Sequence, residues 1–225
     1  MRIATWNVER LKHHKHLENI LQEIRKIDAD ILVLTETDAR LNPNYSYCYC
    51  TPPLYKLMPD FYQTTENRVS IFSKYRAVKR HETYDPFTAI CVEMETSHGN
   101  MLVYGTIIGI MGNREASFKK DLEKQMEDIR RLSSQGYTLC VVGDYNLSFH
   151  DNYYYTREGR NSVNNQFHSS GIELITKDVP ECVDHIAVTK GFFESVVNIQ
   201  EWNLDKTLSD HKGISIDALP AQLAT

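Results

Sequence analysis

Acidic, amide and imidazole side chains recur along the chain where apolar, strand-like runs begin or end. The set comprises Asn7, Glu36, Asp144, Asn146, Asp184, Asp210 and His211. Any one of these residues taken alone is better explained as a turn residue, because Asp and Asn commonly close strands. Their repetition at strand ends instead favours a polar site at one edge of the predicted sheets.

These residue types suit the hydrolysis of a phosphate ester. The ester is anionic and repels hydroxide, so the reaction needs a cation to neutralise the phosphoryl oxygens. Mg²⁺ prefers oxygen ligands and binds through one or two carboxylates. We therefore expect Glu36 to bind Mg²⁺ or Mn²⁺, with Asn7 and Asp210 assisting.

The remaining residues of the set match the other needs of such a reaction. Asp144 is the candidate base that orients and deprotonates the attacking water, and Asn146 would hold the water or the phosphate. A histidine beside the phosphate can donate hydrogen bonds to the developing charge. We expect His211 to do so, with Asp184 orienting the ring and favouring its charged form.

The elements that would position these residues begin with a β-α-β unit. A strand over residues 2–6 precedes a helix with apolar residues at helical spacing, and residues 31–35 form the next strand. A second amphipathic helix is predicted over residues 116–132. Further strands are predicted at 69–72, 77–83, 88–95, 101–108, 138–142, 173–176, 182–188, 195–201 and 214–217. Residues 41–67, rich in proline and aromatic residues, are predicted to form a long ordered loop.

The excess of strands over helices favours a layered α/β or α+β fold, with a mixed sheet system flanked by helices. The 225 residues suit one domain spanning 1–225. The net charge of −5 argues against tight, non-specific DNA binding, which usually needs a basic excess. We expect a cytoplasmic monomer, since no signal peptide or membrane-spanning run is evident and the five scattered cysteines are interpreted as reduced thiols.

Five segments of the chain together resemble the signature blocks of a known superfamily. They are Thr5-Trp6-Asn7-Val8, Leu34-Thr35-Glu36, Gly143-Asp144-Tyr145-Asn146, Val183-Asp184-His185-Ile186 and Ser209-Asp210-His211. The order and content are similar to the endonuclease/exonuclease/phosphatase superfamily, which has the deoxyribonuclease-I-like fold and includes exonuclease III-type apurinic endonucleases. The resemblance covers nearly the whole chain, from residue 3 to about 216.

The resemblance implies a four-layered α/β sandwich with two packed sheets and outer helices. It implies metal binding at Glu36, close to Asn7 and Asp210, and it places Glu9 near the metal-bound waters. The same resemblance assigns Asp144 and Asn146 to the water and phosphate, and His211 with Asp184 to the catalytic pair.

The chain departs from the family pattern in the strand before the second helix. Ile107 stands where the family usually has histidine or tyrosine, and an aliphatic group cannot assist the leaving oxygen. Tyr104 and Asn113 are nearby candidates for that role, although Tyr104 should face the other way on a strand of period two. His185, where many members have tyrosine, is interpreted as a packing residue.

Indications of the substrate come from residues after the Asp144 block. Tyr154, Arg157 and Arg160 could stack bases and bind phosphates, or equally belong to a solvated loop. Arg68 is a further candidate phosphate contact. The leading hypothesis is a nuclease or phosphodiesterase acting on DNA or RNA. The alternatives are a phosphatase or phosphodiesterase for a small or lipid-derived phosphate ester, and a binding protein of this fold with impaired catalysis.

Overall fold

The computed structural model describes residues 1–110 and 112–220. Within them the strands are β1 (Arg2–Asn7), β2 (Ile31–Asp38), β3 (Tyr47–Cys50), β4 (Glu66–Ser73), β5 (Ala77–His81), β6 (Ala89–Thr96), β7 (Gly99–Ile107), β8 (Leu139–Asp144), β9 (Ile172–Leu174), β10 (Asp184–Thr189), β11 (Phe193–Trp202) and β12 (Gly213–Pro220). The first sheet has the order β11-β12-β1-β2-β4-β3, and the second has the order β5-β6-β7-β8-β10-β9.

Each sheet contains one parallel pair of strands joined through a helix. In the first sheet β1 and β2 are parallel, and α1 (Leu17–Ile27) connects them. In the second sheet β7 and β8 are parallel, and α2 (Ala116–Ser134) connects them. The remaining neighbours are antiparallel. Because parallel strands run in the same direction, the carboxyl ends within each pair lie side by side.

The core consists of three apolar layers, which produce the four-layered sandwich that was predicted. Alternate residues of β1 and β2, such as Ile3 and Val33, face the second sheet. Their neighbours Trp6 and Leu34 face the opposite way and pack against α1. The helix α2 covers the outer face of the second sheet in the same manner. Strands that are buried on both faces read as continuous apolar runs, which is why the periodicity found them.

A glycine sets the course of β8 where it approaches its polar end. Gly143 has a φ of +139°, and a Cβ atom there would lie 2.0 Å from the carbonyl oxygen of Thr106 on β7. Only glycine allows the two strands to approach so closely in this conformation. The contact places Asp144 directly beside Ile107 in the parallel register.

Two parts of the sequence-based prediction were wrong. Residues 41–67 are not one loop, since they contain β3, a short 3-10 turn at Leu54–Lys56 and the start of β4. The residues around Arg157 and Arg160 are not a solvated loop but begin a third helix, α3 (Arg157–Ser169). This helix is polar and buries little more than Val163 and Phe167, so its apolar stripe was too narrow to stand out.

Other predicted elements are confirmed with small shifts of their ends. The helix predicted at 116–132 extends to Ser134, and the strand predicted at 138–142 spans Leu139–Asp144. No helix in the described ranges, 1–110 and 112–220, has the length and apolar character needed to cross a membrane.

Candidate active site

The polar residues singled out from the sequence lie at one edge of the sandwich, where strands from both sheets meet. Asn7 is the last residue of β1, and Asp144 is the last residue of β8. Asp184 begins β10, and because β10 runs antiparallel to β8, it lies opposite Asp144. His211 comes just before β12, which runs antiparallel to β1. Sheet direction therefore brings strand ends and strand starts to a common place.

Asn7 connects the two sheets through its side-chain amide. Its Nδ2 donates to Oδ2 of Asp144 at 3.0 Å and lies 3.5 Å from Oε1 of Glu36. Its Oδ1 accepts from the backbone N–H of Glu9 at 2.9 Å. In this orientation Asn7 offers hydrogen-bond donors to the two carboxylates, which fixes their separation.

Asp144 is buried and held from two sides. Besides the Asn7 amide, the backbone N–H of Asn146 donates to its Oδ1 at 2.8 Å. Burial and the nearby charge of Asp184 raise the pKa of Asp144 to about 7, against the opposing effects of His211, Asn146 and Asn7. A carboxyl group that titrates near neutral pH is suited to accept a proton from water.

Asn146 uses its side chain to hold a neighbouring loop. Its Nδ2 donates to the carbonyl oxygens of Ile108 at 3.1 Å and Gly109 at 2.9 Å. The side-chain N–H groups of Asn146, the residue predicted to hold water or phosphate, are thus engaged with the backbone, and its Nδ2 also lies 3.5 Å from Oδ2 of Asp144. Asn146 therefore holds the backbone that follows β7 in place beside the site.

Asp184 and His211 form a close pair, as predicted. Nδ1 of His211 lies 2.6 Å from Oδ2 of Asp184, whose side chain is 1% exposed. Burial lowers the pKa of His211, but the charge and hydrogen bond of Asp184, with the charges of Asp144 and Asp210, outweigh it and raise the pKa to about 10. The imidazole is therefore protonated at neutral pH, with Nε2 left to face the cleft 3.6 Å from Asp210.

The loop that carries His211 is tied to β1. Oγ of Ser209 donates to the carbonyl oxygen of Asn7 at 2.7 Å and accepts from the backbone N–H of His211 at 3.2 Å. The indole of Trp6 donates to the carbonyl oxygen of His211 at 3.0 Å. These bonds hold the loop in a position from which His211 reaches Asp184, although more than twenty residues separate the two in the sequence.

Glu36, Glu9 and Asp210 form the acidic side of the site. The Glu36 carboxylate is partly exposed, and its Oε2 lies 3.3 Å from Nε of Arg10. Oε2 of Glu9 accepts from the backbone N–H of Asp210 at 2.9 Å, while Oε1 pairs with Lys12 at 2.8 Å. Burial, with the charges of Glu9 and Glu36, raises the pKa of Asp210 despite His211 and Lys12.

The donor set of the site fits a divalent cation. Ligand-type atoms of Asp144, Asp184 and His211 lie within 4.8 Å of one another, and the two carboxylates are the donors that remain available while His211 is protonated. Oδ1 of Asp184 is buried and has no hydrogen-bond partner in the protein. A buried carboxylate oxygen of this kind costs free energy unless a cation or a donor satisfies it. This trio differs from the predicted ligands Glu36, Asn7 and Asp210, whose part in metal binding stays a prediction.

Several residues of the site have strained backbone conformations. Positive φ angles, which side chains other than glycine seldom adopt, occur at Glu9 (47°), Arg10 (55°), Glu36 (45°) and Asn146 (51°). Such conformations cost free energy and persist only where the surroundings impose them, which is typical of functional sites.

A family comparison agrees with this geometry. The model described as the Endonuclease/Exonuclease/phosphatase family matches residues 4–211. The chain belongs to this family. Among curated proteins, no sequence matches significantly.

Solved structures with the same fold share little sequence with the chain. The 3′-5′ exonuclease from Neisseria meningitidis has a TM-score of 0.71 at 18% identity and covers 97% of this chain and 100% of that chain. The Neisseria 3′ phosphatase bound to product DNA hairpin has a TM-score of 0.71 at 17% identity, covering 97% and 99%. An AP endonuclease from Archaeoglobus fulgidus has a TM-score of 0.68 at 13% identity, also covering 97% and 99%.

The family's usual histidine or tyrosine has no counterpart at Ile107. This side chain is 1% exposed and belongs to the core between the sheets. Tyr104 faces the other way, as the strand period predicted, and its hydroxyl donates to Asp128 of α2 at 3.2 Å. Asn113 lies nearer to the site, since its Nδ2 donates to the carbonyl oxygen of Asn146 at 3.1 Å.

The residues proposed from sequence to contact substrate fall into two groups. Arg68 is buried and donates to the Tyr62 hydroxyl, while Arg160 donates to Ser148 and stacks on the Tyr155 ring at 3.7 Å. The guanidinium groups of Arg68 and Arg160 therefore contact the protein's own groups, although Nε of Arg68 has no partner, and their contact with phosphate stays a prediction.

The second group lies at the surface. Tyr154 is partly exposed at the rim of the cleft, and its hydroxyl accepts from the backbone N–H of Asn113 at 3.3 Å. Arg157 is exposed in the first turn of α3. Both can meet a ligand, and their contact with substrate stays a prediction.

Sequence reasoning missed several cationic and aromatic residues around the site. The guanidinium of Arg10 lies beside Glu36 and over the ring of Tyr62 at 5.3 Å. Lys206 donates to the Tyr153 hydroxyl at 2.8 Å, and both residues line the cleft. A cleft of about 400 Å³ is lined by Asn146, Tyr153, Tyr154, Glu181, Cys182, Val183, Asp184, Lys206, Asp210, His211 and Lys212. Arg10 and Lys212 directly follow Glu9 and His211, so adjacency to the motifs was the available signal.

Proposed function

We propose that the protein is a Mg²⁺- or Mn²⁺-dependent phosphoesterase, most specifically a nuclease or phosphodiesterase that cleaves DNA or RNA by in-line attack of water. One observation carries the proposal: residues far apart in the chain meet in a single hydrogen-bonded group around Asp144, Asp184 and His211. An ion pair with a purely structural role does not require a second, buried carboxylate with a pKa near 7 beside the protonated imidazole. Shifted pKa values of this kind are typical of functional sites.

Asp144 would accept the proton of the attacking water. The Asn7 amide and the Asn146 N–H hold its carboxylate, so it needs little rearrangement during the reaction. Proton acceptance requires the ionised form, so activity should rise as the pH increases towards and past the pKa of Asp144.

His211 would stabilise negative charge that develops on the phosphoryl oxygens. Asp184 holds its Nδ1, which leaves the Nε2–H to donate towards the cleft. The pKa of about 10 keeps the ring charged over the working range of the base. A fixed, charged donor aimed at developing negative charge contributes strongly to such catalysis.

The metal would be held by the carboxylates of Glu36 and Asp210 with the amide oxygen of Asn7 as the proposed ligands, and Oδ1 of Asp184 is a further carboxylate oxygen without a partner. When bound, a divalent cation supplies charge neutralisation for the phosphoryl group. Arg10 beside Glu36 limits the freedom of that carboxylate and so helps to orient it.

Nucleic acid is the proposed substrate class. The structural neighbours include a 3′-5′ exonuclease and a phosphatase bound to a DNA hairpin. Around the cleft, Tyr153 and Lys206 combine an aromatic ring with positive charge, which is the chemistry that contacts single-stranded nucleic acid. The net charge of −5 favours a local contact over extended duplex binding. A single domain, a monomeric state and a cytoplasmic location stay predictions.

A substrate panel tests the proposal. Single- and double-stranded DNA, RNA, an abasic duplex, 3′-phosphorylated DNA, inositol phosphates and bis-p-nitrophenyl phosphate would be incubated with Mg²⁺, Mn²⁺ or EDTA. We expect cleavage of a nucleic acid with either metal and none in EDTA.

The Glu36→Gln variant should weaken Mn²⁺ binding measured by electron paramagnetic resonance. Glu194→Gln, which removes an exposed carboxylate on β11, is the matched control and should bind Mn²⁺ normally. Turnover of inositol phosphates alone would shift the proposal to the small-ester alternative. Equal rates with and without EDTA would overturn it.

A further inference from the structure

Two thiols lie side by side on an edge strand, far along the first sheet from β1. Cys48 and Cys50 are in β3, the last strand of that sheet, whose partner in the described structure is β4. Residues two apart on a strand point to the same face, and here the two Sγ atoms are 3.4 Å apart. Both residues are exposed, whereas Cys91, Cys140 and Cys182 are buried.

The surroundings of the pair distinguish the two thiols. Oγ of Ser70 donates to Sγ of Cys50 at 3.3 Å, and Arg80 donates to the Cys50 carbonyl oxygen at 3.4 Å, which brings its guanidinium close. The hydrogen bond from Cys48, with Ser70 and Arg80, lowers the pKa of Cys50 to about 6 despite its partial burial. The pKa of Cys48 is raised. Cys50 is therefore the nucleophilic thiolate and Cys48 the proton-bearing partner at neutral pH.

The spacing permits a bond between the two sulfur atoms. Two residues of extended strand span about 6.7 Å, which is the upper end of the Cα separation that a disulfide bridges. A four-residue edge strand with a single partner can contract by the small amount required. A disulfide at this limit is easily reduced again, and exposed bonds of this type exchange readily.

A metal site at the same place lacks ligands. In the described residues the only group of three or more His, Cys, Asp and Glu side chains arranged to hold an ion is Asp144, Asp184 and His211. A zinc site would need further ligands besides the two sulfurs. The chemistry that the pair can perform with its own atoms is therefore thiol–disulfide exchange.

We propose that Cys48 and Cys50 form a thiol–disulfide exchange site that reacts with low-molecular-weight disulfides such as oxidised glutathione. The Cys50 thiolate attacks one sulfur of the disulfide, breaks its S–S bond and releases one thiolate, which takes the proton of Cys48. The Cys48 thiolate then attacks the Cys50 sulfur, forms the Cys48–Cys50 bond and expels the second thiolate, which is protonated by solvent. Two protein thiols are oxidised, and one disulfide is reduced to two thiols.

Mass spectrometry of the full chain in glutathione buffers tests this site. We expect the wild-type protein to gain one internal disulfide without a lasting adduct. Cys48→Ser should stop at a Cys50–glutathione adduct, because the resolving thiol is absent. The Cys48→Ser/Cys50→Ser variant, with folding checked by circular dichroism, should remain unmodified, since the other three cysteines are buried.

The pH dependence of alkylation provides an independent measurement. In Cys48→Ser the serine hydroxyl can still donate to Cys50, as do Ser70 and the charge of Arg80, so iodoacetamide should label Cys50 at a pH well below that needed for an ordinary thiol. In Cys50→Ser the labelling of Cys48 should require a pH about two units higher or more. Two stable glutathione adducts on the wild type, or two thiols that stay reduced in an excess of oxidised glutathione, would overturn the proposal.

Discussion

The chain contains two Asp-His dipeptides, Asp184-His185 and Asp210-His211, and the pKa values of their histidines are shifted in opposite directions. In the pair at the start of β10, His185 is buried and its ring nitrogens contact the Thr176 hydroxyl and the Leu147 carbonyl oxygen. Burial lowers the pKa of His185 to about 4. In the pair before β12, His211 is beside the Asp184 carboxylate, and its pKa is raised to about 10.

The difference arises from what each imidazole meets, because the dipeptides themselves are identical. Adjacent residues of a strand point to opposite faces, so Asp184 and His185 cannot pair with each other. His185 meets neutral groups and stays neutral, and it supports the loop at Leu147. His211 meets a buried carboxylate from the other sheet and is held as a cation. The proposed catalytic pair, Asp184 and His211, is therefore formed between segments far apart in the chain and not within either dipeptide.

The largest expected effect on turnover comes from substituting His211 or the neighbouring carboxylate Asp144. We expect Asp144→Asn and His211→Gln each to lower turnover by about 10²-fold or more, because they remove the proposed base and the charged donor. Steady-state rates on the best substrate of the panel measure this loss. Glu194→Gln should retain the wild-type rate, and near wild-type rates in both site variants would remove these residues from the mechanism.

The charge state of His211 should also appear in the pH dependence of stability. A histidine whose pKa is raised in the folded state stabilises it fully below the unfolded pKa of about 6.5 and loses this contribution as the pH rises through about 10. The stability difference between wild type and His211→Gln, from urea unfolding in EDTA, should therefore shrink between about pH 6 and pH 10.5. A difference that is constant or grows with pH would contradict a charged His211.

His185 should behave as a structural residue. Replacing it by phenylalanine removes the His185 contacts of the Leu147 carbonyl and of the Thr176 hydroxyl, which keeps only the N–H of Ile186, so we expect the free energy of unfolding to fall by about 1–3 kcal/mol. Turnover of the folded protein should change far less than in His211→Gln. A large loss of rate without a loss of stability would place His185 in the chemistry after all.

The smallest effect on rate is expected at the departure from the family pattern. Ile107 packs between the sheets, so Ile107→His would bury an imidazole among apolar groups and lower stability by about 1–3 kcal/mol. We expect no gain in rate. Thermal unfolding and steady-state kinetics on the same preparation measure both effects. A clear rate gain at unchanged stability would show that the position opens to the site.

Much of the fold followed from local pattern. The apolar runs of β1, β2 and β8 and the amphipathic stripes of α1 and α2 are properties of short segments, and the periodicity of those segments identified them. The periodicity did not identify β3 or α3. β3 is a short exposed strand between proline-containing segments, and α3 has only a narrow apolar stripe. Their positions depend on what they pack against, which no short window contains.

The chemical character of the site was determined by the sequence: which carboxylates, amides and imidazoles follow the strands, and the family whose motifs they match. Only the tertiary structure decided the partners. In the tertiary structure His211 contacts Asp184, and the side chain of Ile107 packs in the core. Arg10 lies beside Glu36, and the sulfur atoms of Cys48 and Cys50 are in contact. The reason is physical, because residue identity sets what a group can do, whereas sheet register and burial set its neighbours and therefore its charge.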